Sequence, residues 1–191
     1  EEIMQEVSVI IPNFNGMAYL DGVLAGLECQ TVNNFEVILV DNGSSDGSCA
    51  FVSARYPWVH LIELPENFGF CKAVNEGIKA SRAPYVLLLN NDIEVTENFI
   101  EEMISAIRRH PKAFSCAARM IQFHDRDKLD DAGNYYCALG WAYARGKGKD
   151  IHTYEKEEKI FASCAGAAIY RKKIFDKIGL FDEEHFAYLE D

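Results

Sequence analysis

With 191 residues, 49% hydrophobic and 26% charged, the chain has the size and composition of one soluble globular core and excludes disordered, fibrous and repeat classes. Its 19 Lys+Arg against 30 Asp+Glu leave a formal charge of −11, which repels phosphate backbones and argues against nucleic acid as a partner. An anionic small substrate would then need local cations or a metal ion at its site. No signal peptide opens the sequence, and no apolar run reaches the roughly 18–20 residues needed to span a bilayer, so a soluble piece is expected. The six cysteines, at 29, 49, 71, 116, 137 and 164, form no CxxC pair and read as reduced thiols in the cytoplasm.

In chain order, Val7 to Ile11 is an apolar, β-branched run closed by Pro12, hence a buried strand, and Met17, Leu20, Leu24 and Leu27 then recur at helical spacing. "EVILVD" (36–41) predicts a second strand, 47–56 a helix, and "VHLIE" (59–63) a third strand. Cys71, Val74 and Ile78 mark the next helix and Tyr85 to Leu89 the fourth strand. Thr96 is expected to cap a helix that carries Ile100, Ile104 and Ile107 on one face and Arg108-Arg109 at its end. Such alternation predicts βαβ units and a parallel sheet with right-handed crossovers. "AFSCAARM" (113–120) reads as a fifth strand and 121–160 as long loops with short β-pieces. "FASCAGAAIY" (161–170) returns to the core as one or two strands, followed by a short helix at 172–178. One domain over 1–191 is expected, with 1–112 as its nucleotide-binding half and 113–191 as its acceptor-side half, cut short at the C-terminus.

In a parallel sheet the carboxyl ends share one edge, the edge where open α/β folds bind ligands. The polar residues gather at those ends: Pro12-Asn13-Phe14-Asn15 after strand one, Asp41 to Gly47 after strand two, and Asn90-Asn91-Asp92 after strand four. Asp41 suits either a base or ribose contact or a turn cap. Asp92 with Asn90 offers the hard oxygens that Mg²⁺ or Mn²⁺ takes while keeping waters and phosphate oxygens in its shell. Gly43-Ser44-Ser45-Asp46-Gly47 also fits G-x-S-x-G, so a serine hydrolase using Ser45 is an alternative, although no HGGG-like stretch precedes it. No G-x-G-x-x-G opens the first helix, and no P-loop is present. His124, His152 and His185 read as surface residues, and Trp141 as filling a loop or lining a sugar pocket.

Taken together, "VSVIIPNFNG", "FEVILVDNGSSDGS", "ENFGFCKAVNEGI", "YVLLLNND" and "CAGAAIYRKKIFDKIGLFDEEHFAYLED" resemble the blocks of the family 2 glycosyltransferases, which have the GT-A fold, from about Val7 to Asp191. "DDAGNYY" with the Gly-Trp that follows, and "FDEEHFAYLED", are most similar to the bacterial rhamnosyltransferase-like branch. The resemblance implies an inverting transfer of a sugar from a UDP- or dTDP-linked donor to a saccharide or lipid-linked acceptor in cell-surface polysaccharide synthesis, in the cytoplasm or at the inner face of the membrane. A nucleotide-sugar-binding module without turnover is the alternative for this piece. By the same resemblance Pro12, Asn13 and Asn15 border the nucleotide, Asp41 binds its base, and Asn67 and Gly69 lie in the block that wraps it. Lys72 approaches the diphosphate or is a solvated helix lysine. Asn90-Asn91-Asp92 stands where the family has its DxD metal motif, with Asn90 in place of the first acid, so Asp92 becomes the direct ligand of Mg²⁺ or Mn²⁺. Glu190-Asp191 matches the acidic pair near the acceptor, with Asp191 as general base.

Overall fold

In the computed structural model, which describes residues 5–187, the apolar runs become strands of one sheet. The first four, β1 (Val7–Asn13), β2 (Phe35–Asp41), β3 (His60–Glu63) and β4 (Tyr85–Leu89), are parallel neighbours. Helices α1 (Met17–Glu28), α2 (Ser48–Arg55) and α3 (Phe70–Ala80) connect them. The chain then forms α4 (Phe99–Arg109) and β5 (Ser115–Ala117), and two small antiparallel pairs follow. These are β6 (Met120–Ile121) with β7 (Leu129–Asp131), and β8 (Asn134–Tyr136) with β9 (Ala142–Ala144). The chain re-enters the sheet as β10 (Ala167–Arg171) and continues into α5 (Lys172–Ile178). Strand order in the sheet is β3-β2-β1-β4-β10-β5, with β10 antiparallel to both neighbours. The expected parallel sheet therefore carries one reversed strand.

Because side chains alternate across a strand, each strand feeds two cores. Val7, Val9, Ile11, Val37, Leu39, Leu87 and Leu89 pack under α1, α2 and α4, joined by Leu20, Leu24, Val52, Ile100 and Ile104. On the opposite face Ile10, Val86 and Leu88 meet Val74 and Ile78 of α3 and Phe175 of α5. Helix α3 lies close to the sheet because it presents Gly77 there, where an added Cβ would stand 2.4 Å from Ile10 Cγ2.

Three local expectations are corrected. Strand β1 does not stop at Pro12 but runs to Asn13, because β2 pairs with it through Asn13↔Asp41 while the ladder with β4 ends at Ile10↔Leu88. Pro12 thus sits where β1 has a neighbour on one side only, a place that tolerates a missing N–H. The α4 helix is not capped by Thr96: its N-cap is Asn98, Thr96 hydrogen-bonds Asn98, and the Phe99 N–H closes a turn onto Thr96 O at 3.1 Å. The Ile100 N–H at that helix start is taken by Gln30 Oε1 at 2.8 Å, a partner 70 residues away. The stretch 113–120 divides into β5 and β6, which pair with different strands.

Asp46 ties two helix starts together, accepting the Met17 N–H at 2.9 Å and the Ser48 N–H at 3.0 Å, and it also takes the Ser48 hydroxyl. These bonds, led by that of the Ser48 side chain, hold its carboxyl below the usual range. A depressed folded-state value contributes stability above the unfolded value of about 4 and loses it as pH falls through the folded one. Accordingly, Asp46→Asn should melt lower than the parent at pH 7, with the gap closing as pH falls through the depressed value of the carboxyl; a pH-independent gap in thermal melts would refute this. At Gly77, Ala should cost about 1–3 kcal/mol in chemical denaturation because the added carbon overpacks against Ile10.

Candidate active site at the carboxyl rim of the sheet

The ends of β1, β2 and β4 meet through one amide. Asn13, 1% exposed, donates from Nδ2 to Asp41 Oδ1 at 2.8 Å and accepts at Oδ1 from Asn91 Nδ2 at 2.7 Å. Asp41, 2% exposed, accepts the Ser44 N–H at 2.8 Å through its other oxygen, which holds the loop after β2 in a tight turn. Ser44 Oγ in turn accepts from Asn15 N at 2.8 Å, and the Ser45 N–H donates to Asn15 Oδ1 at 2.9 Å. Asn15 adopts a left-handed φ of 49°, which asparagine tolerates better than most residues. The sequence-predicted residues Asn13, Asn15, Asp41 and Asn91 therefore form one connected network.

A second network extends the rim toward α3. Asn42 donates to Asn67 Oδ1 and to Gly69 O, each at 2.9 Å, and accepts the Phe68 N–H at 3.0 Å. Asn67 Oδ1 also takes the Gly69 N–H at 2.9 Å. Gly69 has φ 88°, and a Cβ there would lie 2.5 Å from Phe186 O. The last described residues, 181–187, lie along α3. Phe70 N–H donates to Phe186 O at 2.7 Å, and Asn75 bonds the backbone of Phe181 at both ends, at 2.8 and 3.1 Å. Lys72, left open between diphosphate and solvent, sits between Glu76 at 3.0 Å and Glu183 at 3.2 Å, which raise its pKa. Glu190 and Asp191 lie outside the described residues.

Several of these residues escaped the sequence reading. Gly16 is required for space, since a Cβ would stand 2.4 Å from Asn13 Oδ1 and 2.1 Å from Asn91 Nδ2, across the bond that joins them. Asn75 is an amide on the buried face of α3 among Cys71, Val74 and Ile78. That misplaced polarity was the available signal. Cys49 packs beside Asp41, and burial, with Asp41 and Glu63 adding, pushes its thiol up to about 12, so it stays protonated.

Asp92 is exposed and, among the described residues, makes no hydrogen bond or ion pair, and the Asn90 N–H is held by Gly166 O at 2.9 Å. Among the described residues no group of three His, Cys, Asp or Glu side chains could enclose a metal ion. One free carboxylate fits a hard divalent ion that draws its remaining ligands from substrate phosphates and water, the usual habit of Mg²⁺. It does not fit a metal caged by protein alone. Ser45 is exposed, and its recorded bond is to Asn15; the histidines that bond carboxylates, His110, His152 and His185, do so elsewhere. Among the described residues no histidine bonds Ser45, which leaves the hydrolase alternative without support here. A cleft lined by Pro84, Tyr85, Arg171 and Lys172 opens at the opposite edge, where Arg171 is committed to the Ala113 and Ile107 carbonyls at 2.9 and 2.6 Å.

Comparison with known proteins bears on this rim. Residues 8–179 match the family model described as glycosyl transferase family 2. The chain is 26% identical over 206 residues to an N-acetylglucosaminyl-diphospho-decaprenol L-rhamnosyltransferase of Mycobacterium tuberculosis, covering 96% of this chain and 67% of that one. Among solved structures, Staphylococcus aureus TarS 1–349 in complex with UDP superposes with a TM-score of 0.70 at 21% identity, over 96% of this chain and 52% of that one. A mannosyltransferase from Pyrobaculum calidifontis in complex with GDP-Man and Mn²⁺ gives a TM-score of 0.68 at 14% identity, over 96% and 49%. The chain thus spans about half the length of these solved chains. At such identities the superpositions speak to the fold, GT-A, and the family match speaks to descent. A parallel sheet whose strand ends are gathered at one polar rim, and a family match running through nearly its whole length, lead to one conclusion: the chain belongs to glycosyl transferase family 2.

Proposed function

We propose that this chain carries the donor-binding and reaction face of an inverting glycosyltransferase that moves a sugar from a nucleotide diphosphate to a saccharide or lipid-linked acceptor in cell-surface polysaccharide synthesis. The observation that carries the reading is the Asn91–Asn13–Asp41 chain of hydrogen bonds, which brings three separate strand ends to one rim. The family relationship supports it, as do the printed ligands of the structural relatives, UDP and GDP-Man.

On this reading Pro12, Asn13 and Asn15 border the nucleotide and Asp41 faces its base. The enclosure of Asp41 makes it a post for the rim loops as well: a buried carboxylate that accepts two bonds fixes the groups around it. Asn67 and Gly69 shape the wall next to the nucleotide, and Lys72 acts by holding Glu183 beside α3. Asn90, Asn91 and Asp92 face the diphosphate, with the Asp92 carboxylate the ligand for Mg²⁺ or Mn²⁺. Such an ion supplies charge neutralisation for the departing diphosphate. Asp191, with Glu190 beside it, takes the proton of the acceptor hydroxyl as that oxygen forms its bond to the anomeric carbon and the carbon–phosphate oxygen bond breaks on the opposite face, which inverts the centre. The donor sugar is assigned to the rhamnosyl type on the strength of the mycobacterial relative's name.

A thermal-shift panel of UDP-, dTDP- and GDP-sugars, each with and without Mn²⁺, tests the reading directly. One donor class should raise the melting temperature, more so with Mn²⁺. Asp92→Ala should abolish the Mn²⁺-dependent part and leave the ligand-free melting point in place, since Asp92 has no partner among the described residues. Unchanged Mn²⁺-dependent binding in that variant would remove the metal role. Asp41→Asn should both weaken nucleotide binding and lower the ligand-free stability by about 1–3 kcal/mol, because its new amide would face the Asn13 and Ser44 donors. Gly16→Ala, which forces Asn13 and Asn91 apart, should weaken nucleotide binding about tenfold or more in isothermal titration, a change of about 1.4 kcal/mol.

A further inference from the structure

The elaborated segment between β5 and β10 leaves and re-enters the sheet at the same rim as the candidate site. Its two ends are Ala117, which pairs with Ala168, and Ala167, which pairs with Leu89 at the end of β4. It carries a hairpin, β8–β9, whose turn is closed by Cys137 N–H to Trp141 O at 2.9 Å and Gly140 N–H to Cys137 O at 3.0 Å. The apolar side chains of this turn point outward: Leu139 is 86% exposed and Trp141 72%, with Tyr136 and Tyr143 more than half exposed. Phe161, 70% exposed, stacks on Tyr136 at 5.6 Å and broadens the patch. Trp141 therefore stands outside its turn instead of filling it, and soluble proteins seldom leave so much apolar surface together without use.

Charge indicates what covers it. The first 102 residues hold four Lys+Arg against 16 Asp+Glu, whereas residues 103–180 hold 15 against nine. Residues 121–160 hold seven Lys+Arg against eight Asp+Glu, but the acids lie outside 132–149, the hairpin and its flanks, which carry Arg145, Lys147 and Lys149; Lys147 stands 3.5 Å from Asp130 at the base. Arg145 is buried at the base, paired with Glu158 and lying 3.9 Å from the Tyr154 ring centre, so it braces the hairpin. Lys147, Lys149 and Lys159 are exposed around it.

We propose that this hairpin is an interfacial anchor that docks the rim of the sheet on an anionic phospholipid surface, with Leu139 and Trp141 entering the headgroup–acyl boundary and the lysines meeting lipid phosphates. Trp and Tyr favour that boundary because their rings are apolar with one polar handle. Apolar burial and attraction of cations to anionic lipid add in such binding. A saccharide is the poorer occupant, since Leu139, the most exposed of these side chains, has no ring face to stack on a sugar. A second copy is also poorer: strands of three residues fall short of the roughly 800 Å² per partner of a standard interface, and two such hairpins repel. The proposal deepens the reading above, because it names the surface on which a lipid-linked acceptor is met.

The chain has two tryptophans, Trp58 and Trp141, so Trp58→Phe leaves Trp141 as sole reporter. With vesicles of phosphatidylcholine and phosphatidylglycerol, its emission should shift to the blue and be quenched by lipids brominated in the upper acyl chain, with far weaker binding to pure phosphatidylcholine. Leu139→Asp in that background should cut the partition coefficient about tenfold, as expected for exchanging a buried apolar side chain for a charge. Lys147→Glu with Lys159→Glu should remove the preference for anionic vesicles. No shift on any vesicle, or equal partition into neutral ones, overturns the proposal. So does a blue shift that needs only higher protein concentration, which would indicate self-association, or one that needs only oligosaccharide. Nucleotide thermal shifts on the same samples keep the two readings apart: docking without nucleotide binding refutes the donor site alone, and nucleotide binding without docking refutes the anchor alone.

Discussion

The rim depends on one buried amide. Asn13 uses its donor for Asp41 and its acceptor for Asn91, and so welds the ends of three parallel strands into a single polar surface. A buried amide with an unmade bond costs about 1–3 kcal/mol. Each partner therefore constrains the others, and the loops after β1, β2 and β4 cannot drift independently. Gly16 completes the arrangement by leaving room over the Asn13–Asn91 bond, where any side chain would intrude.

From that weld the functional half of the molecule follows by contact. Asp41 fixes the Ser44 turn, and its neighbour Asn42 reaches across to Asn67 and Gly69 and so joins the rim to the start of α3. Helix α3 then holds residues 181–187 through Asn75, Lys72 and the Phe70 N–H. The donor face and the segment leading to the acidic pair share a continuous hydrogen-bonded path. A single reversed strand, β10, lets the chain visit this rim again, because it enters the sheet beside the end of β4 instead of its beginning.

Electrostatics give the two parts of the chain different tasks. On the proposed reading the strongly acidic first half borrows its positive charge from a divalent ion at Asp92, which is exposed and free among the described residues. The stretch 103–180 carries an excess of Lys+Arg and exposed aromatic side chains, which on the proposed reading suits contact with a charged surface more than with a diphosphate in a pocket. Among the described residues no helix is long and apolar enough to cross a membrane, so an interfacial hairpin is a separate means of reaching lipid.

Local sequence was enough for much of this. The β-branched runs ending in polar clusters determined four strands, their parallel arrangement and the edge where Asn13, Asp41 and Asn91 meet, because burial on both faces and the right-handed crossover leave little choice. It could not say that α4 takes a bond from Gln30, that Gly16 is needed for space, or that Asn75 grips Phe181. Each of these is a contact between residues far apart in the chain, invisible to any pattern of neighbours. The elaborated segment was legible as long loops with short β-pieces but without their bounds or partners, since its three-residue strands have too few alternations to declare themselves. Whether Trp141 lay inside or outside was decided by tertiary packing alone: the β8–β9 turn stands off the sheet, whose two faces are packed by its helices, and leaves Trp141 72% exposed.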